Sequence, residues 1–430
     1  MLKYGTSKVD KLFYGEHQIK KAYIGSNLVY GTEEPPVPDT PYIRGGAGAY
    51  IDTGITADDT VKVILWARNF NPMSGYLFGC KYSNYVETFA IEASAGRRTG
   101  NIRVAYGTHT DTTTTYAVDA FEYMSNYHKY EFYGGILKVD DVVIANASTV
   151  ATSTTFTHNL NIHLFGVNEN GTHTPSDFLS DICKCEIYKN GVKVRDYTPT
   201  DTTSVGLYDS VSETIFTNDG TGSLTYGGFK ENAYTPLPYI LCANNQWFDT
   251  GVYGTKDLPI AIKFRPTNAT ARYAGLFGEY ATGSSTYCCF SLGTGTAGQD
   301  NSRLSFRFGT SDTNAALYNN TSNRLTGTDV IVTKVSDTAY AYRNQTQLGT
   351  GTRSTSSSFS TTETLVVGGT RDNGTTFHDD KFEGRFYFVG LGSQKNFVPA
   401  KKGSTVGMYD TYNDVFKPSA SGTPFAEDSQ

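Results

Sequence analysis

The chain has 430 residues, a formal net charge of −6, 18% charged residues, 44 glycines and 31 tyrosines. Lys and Arg form no concentrated block, which excludes nucleic acid as the main partner, because phosphate neutralisation needs clustered positive charge. No stretch of eighteen consecutive apolar residues occurs, so no helix in the sequence spans a membrane, and the opening MLKYGTSKVDK lacks the apolar core of a signal peptide.

Residues 2–31 repeat with a period of ten: LKYGTSKVDK, LFYGEHQIKK, AYIGSNLVYG. Gly5, Gly15 and Gly25 recur in register, as do Val9, Ile19 and Val29, and the aromatics Tyr4 and Tyr14. Each unit reads as a short β-branched and aromatic strand closed by a glycine turn. Three such strands bury too little apolar area to be stable alone and need a partner surface. The segment carries five lysines against Asp10 and Glu16. It is either a small cap folded against the domain that follows or an anchor docking to a larger assembly or to sister chains. The anchor is preferred, because the next segment (32–40, TEEPPVPDT) is a stiff, extended proline-rich spacer.

From residue 41 onward the chain is written twice. PYIRGGAGAYIDTGI at 41–55 returns as PYILCANNQWFDTGV at 238–252, an offset of 197. Phe78-Gly79 answers Phe277-Gly278, and Gly206-Leu207-Tyr208-Asp209 answers Gly407-Met408-Tyr409-Asp410. A nearly constant offset means one complete fold copied in tandem: 41–230, a short linker at 231–237, and 238–430. Within each copy the apolar residues alternate at period two, as in Val61–Ala67 and Arg303–Phe308, and no helical stripe of any length appears. Tyr188-Lys189-Asn190-Gly191-Val192 is a hairpin turning at Asn-Gly. Many short strands over about 190 residues, twice, predict two all-β antiparallel sandwiches or jelly rolls. The two tryptophans, Trp66 and Trp247, fall in strand-like runs and are expected to be buried.

None of the six cysteines has a counterpart in the other copy, and no C-x-x-C occurs. Free thiols are expected, with Cys183 and Cys185 sharing one strand face and the adjacent Cys288 and Cys289 on opposite faces.

The ordered motifs, an opening PYI…(Y/W)(I/F)DTG, a strand ending in Phe-Gly, FLSDICKCEIY at 178–188 followed by VRDYTP at 194–199, and G-(L/M)-Y-D, resemble the concanavalin A-like, laminin-G-type jelly-roll domains in structural proteins of tailed gut phages, crAss-like or similar. The leading Tyr-Gly decapeptides are similar to repeats that precede such domains. The resemblance implies a virion surface protein, made in the host cytoplasm and displayed as a head fibre or capsid decoration. It implies capsid or tail proteins and sister chains in a homo-oligomer as partners, host or mucosal glycan as a ligand, and no membrane partner. A tail-borne receptor-binding lectin is the alternative.

Chemistry has little support in the sequence. Glycanases on this fold use carboxylates spaced E-x-D-x-x-E on one strand face; the nearest candidates, Glu87 and Glu92, are oddly spaced. The seven histidines include no H-x-x-x-H or H-E-x-x-H, and no nucleophile elbow occurs. No catalytic residue and no cofactor is expected, and a glycan-degrading enzyme is the least favoured reading. The matching loops Asn168-Glu169-Asn170-Gly171…Asp177 and Asp372-Asn373-Gly374…Asp379-Asp380 offer oxygens of the kind calcium takes, but Asx-Gly also makes an ordinary turn, and the turn is preferred.

Overall fold

The structure is a computed structural model. It describes residues 41–427 except 47, 69–74, 83–86, 94–101, 109–114, 117–126, 176–178, 228–233, 244–245, 268–273, 281–286, 293–302, 310–314, 321–324, 344–345, 353–358, 373–375, 378–381 and 393, and before residue 41 only short strands between 3 and 30.

Each copy folds as a two-layer sandwich of antiparallel sheets, and the two share one topology. In the first, the larger sheet runs Val142–Asn146, Ile136–Val139, His128–Tyr133, Lys62–Arg68, Ser180–Lys189, Val192–Thr200, Gly206–Asp209, Thr214–Phe216. In the second the same order is Thr346–Thr352, Thr338–Arg343, Val330–Val335, Ile260–Pro266, Gly384–Leu391, Lys395–Lys402, Thr405–Asp410, Val415–Pro418. The smaller sheets also match: Thr115–Tyr116, Ile102–Gly107, Thr88–Ala93, Gly75–Lys81, Thr157–Leu164, Ile51–Asp58 against Ala315–Asn319, Arg303–Gly309, Tyr287–Leu292, Ala274–Tyr280, Ser360–Val367, Phe248–Thr255. The period-two pattern explains the layers. In Lys62–Arg68 the side chains of Val63, Leu65 and Ala67 enter the core, where they meet Ile51, Ile91, Val104 and Leu164 from the opposite sheet. The second core is also aliphatic and aromatic but richer in phenylalanine, with Phe277, Phe290, Phe306 and Phe308 in one chain of ring contacts.

The repeated motifs are the places where strand geometry departs from ideal. In Asp52-Thr53-Gly54 the carboxylate Oδ1 accepts the Gly54 N–H at 2.8 Å, and the buried Thr53 hydroxyl donates 2.8 Å to the Ile162 carbonyl. Asp249-Thr250-Gly251 repeats both bonds, at 2.8 Å to Gly251 N–H and 2.7 Å to the Leu365 carbonyl. The glycines hold φ of +66° and +73°, and the register to the neighbouring strand slips there in both copies. The triplet is therefore a bulge with its own side-chain bracing. The Tyr-Asp motif builds a turn: buried Asp209 accepts from the N–H groups of Asp196, Val211 and Ser212, and Asp410 accepts from those of Asn396 and Tyr412.

That second turn has a use in copy two that it lacks in copy one. Residues 210–213 are exposed, whereas Thr411 and Tyr412 are buried, because the first sandwich docks on them. Arg44 Nη1 donates 2.6 Å to the Tyr412 carbonyl and Nη2 donates 2.9 Å to the Thr411 carbonyl. The same guanidinium grips both Asp181 oxygens, Oδ1 through Nε at 2.6 Å and Oδ2 through Nη2 at 2.9 Å, and Arg68 Nε also donates to Oδ2 at 2.9 Å. The Tyr412 hydroxyl returns a bond to the Leu179 carbonyl at 3.3 Å. Asp181 is fully buried, so the carboxylate exists only because two arginines compensate it.

The ten-residue units at the front differ from the expectation of one strand each. Each is a two-stranded hairpin: Lys3–Tyr4 with Ser7–Lys8, Leu12–Tyr14 with His17–Ile19, and Ala22–Ile24 with Asn27–Tyr30. Ten residues accommodate a pair because each strand takes only two to four of them. Tyr4, Tyr14, Ile19 and Val29 lie on these strands; Gly5, Val9, Gly15 and Gly25 lie outside the described residues. Among the described residues these strands pair only with each other.

All six cysteines are free and buried. Cys183 and Cys185 do not share a face, however. The register to Lys62–Arg68 slips between Ile182 and Lys184, and this bulge sends Cys185 into the core and Cys183 to the outer cluster with Ile64 and Trp66. The tryptophans also part company: Trp66 is buried, while Trp247 is half-buried under Arg371, whose guanidinium lies 5.7 Å from its ring.

The turn entering each central strand is pinned by a lysine from a different neighbour. In copy one Lys189 reaches the Thr56 carbonyl at 2.9 Å and Asp58 at 3.0 Å. In copy two the wholly buried Lys334 donates to the carbonyls of Thr255, Lys256 and Leu258. Burial pushes its ammonium down to about 8, so it remains charged at neutral pH with three carbonyls to satisfy its three donors. Lys334→Met is expected to cost about 2–3 kcal/mol by leaving those carbonyls unpaired, read as a lower melting temperature of the full chain. Because the unfolded lysine holds its proton more tightly, this group makes wild-type stability rise between pH 8 and the ordinary lysine value. Lys334→Met should lack that rise.

Candidate functional site

The face of interest is the outer surface of the smaller sheet in the first sandwich. On Ile51–Asp58 the inward residues are Ile51 and Thr53, so Asp52 points out beside Tyr50; on Thr157–Leu164, Ile162 and Leu164 point in and Asn161 and His163 out. Cross-strand register sets His163 opposite Asp52. The hairpin Gly166–Glu169 with Thr172–Pro175 then folds back, bringing His173 over the same patch.

The result is a ring stack with a carboxylate beside it. Tyr50 stacks on His163 with centroids 4.4 Å apart and on His173 at 4.0 Å, with interplanar angles of 20° and 18°. The two imidazoles face each other, Nδ1 to Nδ1, at 3.3 Å. Asp52 Oδ2 lies 3.8 Å from His163 Nε2 and accepts from Asn161 Nδ2 at 3.1 Å. Asp219 and Asn218 brace the strand from behind by accepting the N–H groups of Asp52 and Tyr50. Burial holds both imidazoles below the ordinary histidine range, His173 at about 4, where the neighbouring His163 adds to the effect. Both are therefore neutral at pH 7.

The equivalent patch of the second sandwich keeps the frame and changes the occupants. Trp247 and Asp249 stand where Tyr50 and Asp52 do, and Asp249 Oδ2 accepts from Arg371 Nη2 at 2.9 Å and the Thr364 hydroxyl at 2.9 Å. Burial would raise the Asp249 carboxyl, but its hydrogen bonds and the Arg371 charge more than offset this and hold it below the ordinary range. Register places Val366 and Phe377 at the positions of His163 and His173.

No pairwise sequence spacing could have found the His163–His173 contact, because it needs the hairpin between them. A signal was present in Asn170-Gly171, whose φ values of +52° and +84° make the tight turn that folds Thr172–Pro175 back. That turn also accounts for the described part of the first calcium-like loop. Asn168 Oδ1 accepts the Gly171 N–H at 3.0 Å, its Nδ2 donates to the Asn161 carbonyl, and Glu169 accepts from Thr174 and faces Lys81. Asp177, Asn373, Gly374, Asp379 and Asp380 lie outside the described residues. Among the described residues no group of three or more His, Cys, Asp and Glu side chains is arranged around a metal position. Glu92 is paired with Arg103 at 2.9 Å.

No family model matches the chain, and no curated protein matches it. Among solved structures the chain is similar to domains LG4–5 of the mouse laminin alpha1 chain, at 12% identity and a TM-score of 0.29, over 84% of this chain and 92% of that one. It is also similar to the LG1–3 region of the laminin alpha2 chain, at 13% identity and a TM-score of 0.28, over 92% of this chain and 68% of that one. At that identity and overlap neither likeness carries a function across, and the all-β, two-sheet sandwich class of this chain is read from its own strand order.

Proposed function

We propose that this chain is a non-enzymatic adhesion protein that presents two lectin-like sandwiches to glycan, held on a larger assembly by its N-terminal hairpins. The observation that carries the reading is the outward aromatic–carboxylate pair repeated at one position of both sandwiches, Tyr50 with Asp52 and Trp247 with Asp249. Tyr50 and Trp247 are half-buried, and both carboxylates keep more than a third of their side-chain surface exposed. A flat ring beside a fixed carboxylate suits a sugar, whose C–H face stacks and whose hydroxyls donate.

The assembly in question is, in our reading, a tailed-phage particle, with the chain as a head fibre or capsid decoration. Among the described residues the hairpins pair only within themselves; such hairpins have open edges, and a two-stranded hairpin is marginal alone. They are stabilised by pairing with sister chains or a capsid surface. A glycan array with the full chain tests the ligand. Competable binding is expected, weakened at least about tenfold by Tyr50→Ala or Trp247→Ala through lost ring stacking. Binding unchanged in both variants would remove the aromatic pair from the site. Deleting residues 1–31 should leave folded sandwiches that no longer join particles, and normal incorporation would overturn the anchor.

A further inference from the structure

We propose that Nδ1 of His163 and Nδ1 of His173 form a two-imidazole site for a borderline-soft divalent cation, Zn²⁺ in the first place, on the outer face of the first sandwich. The inference is independent of the glycan reading, since it needs only the two rings and their supports.

The spacing is the first argument. Two imidazole nitrogens bound to Zn²⁺ at about 2.0–2.1 Å with a tetrahedral angle lie roughly 3.3–3.4 Å apart. The two Nδ1 atoms are 3.3 Å apart. A square-planar arrangement at the same bond length would bring them to about 2.9 Å, so the pair as built suits the tetrahedral ion. Water or an incoming ligand oxygen would take the remaining two positions.

The supports are the second argument. A metal-binding imidazole usually has its far nitrogen aimed at a carboxylate, which sets the tautomer and leaves the near lone pair for the ion. Asp52 Oδ2 stands on that side of His163, 3.8 Å from Nε2, and is itself held by Gly54 and Asn161. His173 is seated differently. A Cβ on Gly166 would lie 2.1 Å from its Cε1 and 2.8 Å from its Nε2, so the ring occupies space that only glycine leaves. Its Nε2 is buried without a hydrogen-bond partner. Without an ion, one Nδ1 must donate to the other, and the contact is a single neutral bond. Tyr50 lies against both rings and fixes their planes.

The second sandwich is a control within the molecule, since Val366 and Phe377 occupy the equivalent register and supply no donor. One ion per chain is therefore expected, not two.

The test is calorimetric titration of the full chain with ZnCl2, alongside thermal melts with and without the metal. One equivalent is expected to bind and to raise the melting temperature by mass action. His163→Gln and His173→Gln should each weaken binding at least about tenfold, and Gly166→Ala should do so by about as much while removing no donor, because it displaces the His173 ring. Absence of binding at about 1 mM metal, a threshold for any useful affinity, would overturn the site, as would an affinity unchanged in both glutamine variants. Should those variants fail to fold, the Co²⁺-loaded wild-type chain decides. Its visible spectrum is expected to show the intense d–d bands of a tetrahedral ion, and the weak bands of an octahedral ion, or none, overturn the proposal.

Discussion

Replacing Asp181 with Asn is expected to lower the stability of the full chain by about 3–5 kcal/mol, the cost of stripping a buried ion pair of one partner. For a sandwich of this size that is a fall of roughly 10 °C in melting temperature. The size of the effect follows from the geometry. Asp181 is fully buried and is the shared acceptor of Arg44 and Arg68. An amide cannot neutralise either guanidinium, and two positive charges would be left facing each other beside the rings of Tyr42 and Tyr127. Arg44 is also the group that holds the Thr411 and Tyr412 carbonyls, so its misplacement loosens the second sandwich from the first. Calorimetry should show one coupled transition in wild type separating into two in Asp181→Asn. A variant that melts as wild type, with the transitions still joined, would show that the cluster does not brace the chain.

The same site has a definite pH signature. Burial alone would raise the Asp181 carboxyl, but the charges and hydrogen bonds of Arg44 and Arg68 more than compensate, and it lies below the ordinary carboxylate range. A carboxyl lowered in the fold gives stability that is complete above its unfolded value, near 4, and is lost as pH falls through the folded value. Wild type should therefore weaken on acidification below about pH 4, and Asp181→Asn should lack this component of the loss.

Gly278→Ala is expected to cost about 4 kcal/mol or more, in the range reached only when backbone strain and steric overlap combine. Gly278 has φ of +116°, and a Cβ there would lie 2.0 Å from the Cys288 carbonyl oxygen and 2.7 Å from the Cys289 Cα. Both are backbone atoms of the paired strand Tyr287–Leu292, so relief requires moving the strand itself. Gly79 is the counterpart, with a Cβ falling 2.5 Å from that of Ala90 and 2.6 Å from the Phe89 carbonyl. The register slips beside both glycines, between Tyr76 and Phe78 and between Gly275 and Phe277. The repeated Phe-Gly is thus a bulge at which two backbones approach too closely for any side chain. Gly171→Ala is the control: its φ is +84° but nothing lies within 4 Å of the added carbon, so only the left-handed penalty of about 1 kcal/mol applies. Equal melting temperatures for Gly278→Ala and Gly171→Ala would refute the close-approach account.

These two predictions fall on opposite sides of what the amino-acid order reveals. The Asp-Thr-Gly, Phe-Gly and Tyr-Asp motifs stand out in the sequence because each solves a local problem, a bulge or a turn, with residues adjacent in the chain. Such solutions are the same in both copies, so duplication alone exposes them. The layered architecture was legible for a related reason: period-two alternation is a direct image of a strand with one side in the core. Where the alternation slips by one residue, as at Cys183, the image fails, because a bulge leaves no mark in the pattern of apolar residues. The hairpins of the first thirty residues read as single strands in the sequence because strands of two to four residues are too short for alternation to show.

What the tertiary structure alone decided is every contact between residues that are distant in the chain and differ between the copies. Arg44, Asp181 and Arg68 come from three strands, and their counterparts in the second sandwich are not a matching triad: Arg265 pairs with Asp329 there instead. His163 and His173 meet only because a hairpin turns between them, and Tyr50 covers them only because cross-strand register places Ile51 beside Leu164. Residue order therefore determined the fold and its duplication, since alternation and turn chemistry are local properties of the chain. Folding decided the brace between the sandwiches and the imidazole pair, since each depends on side chains that only the packed sheets bring within hydrogen-bond distance.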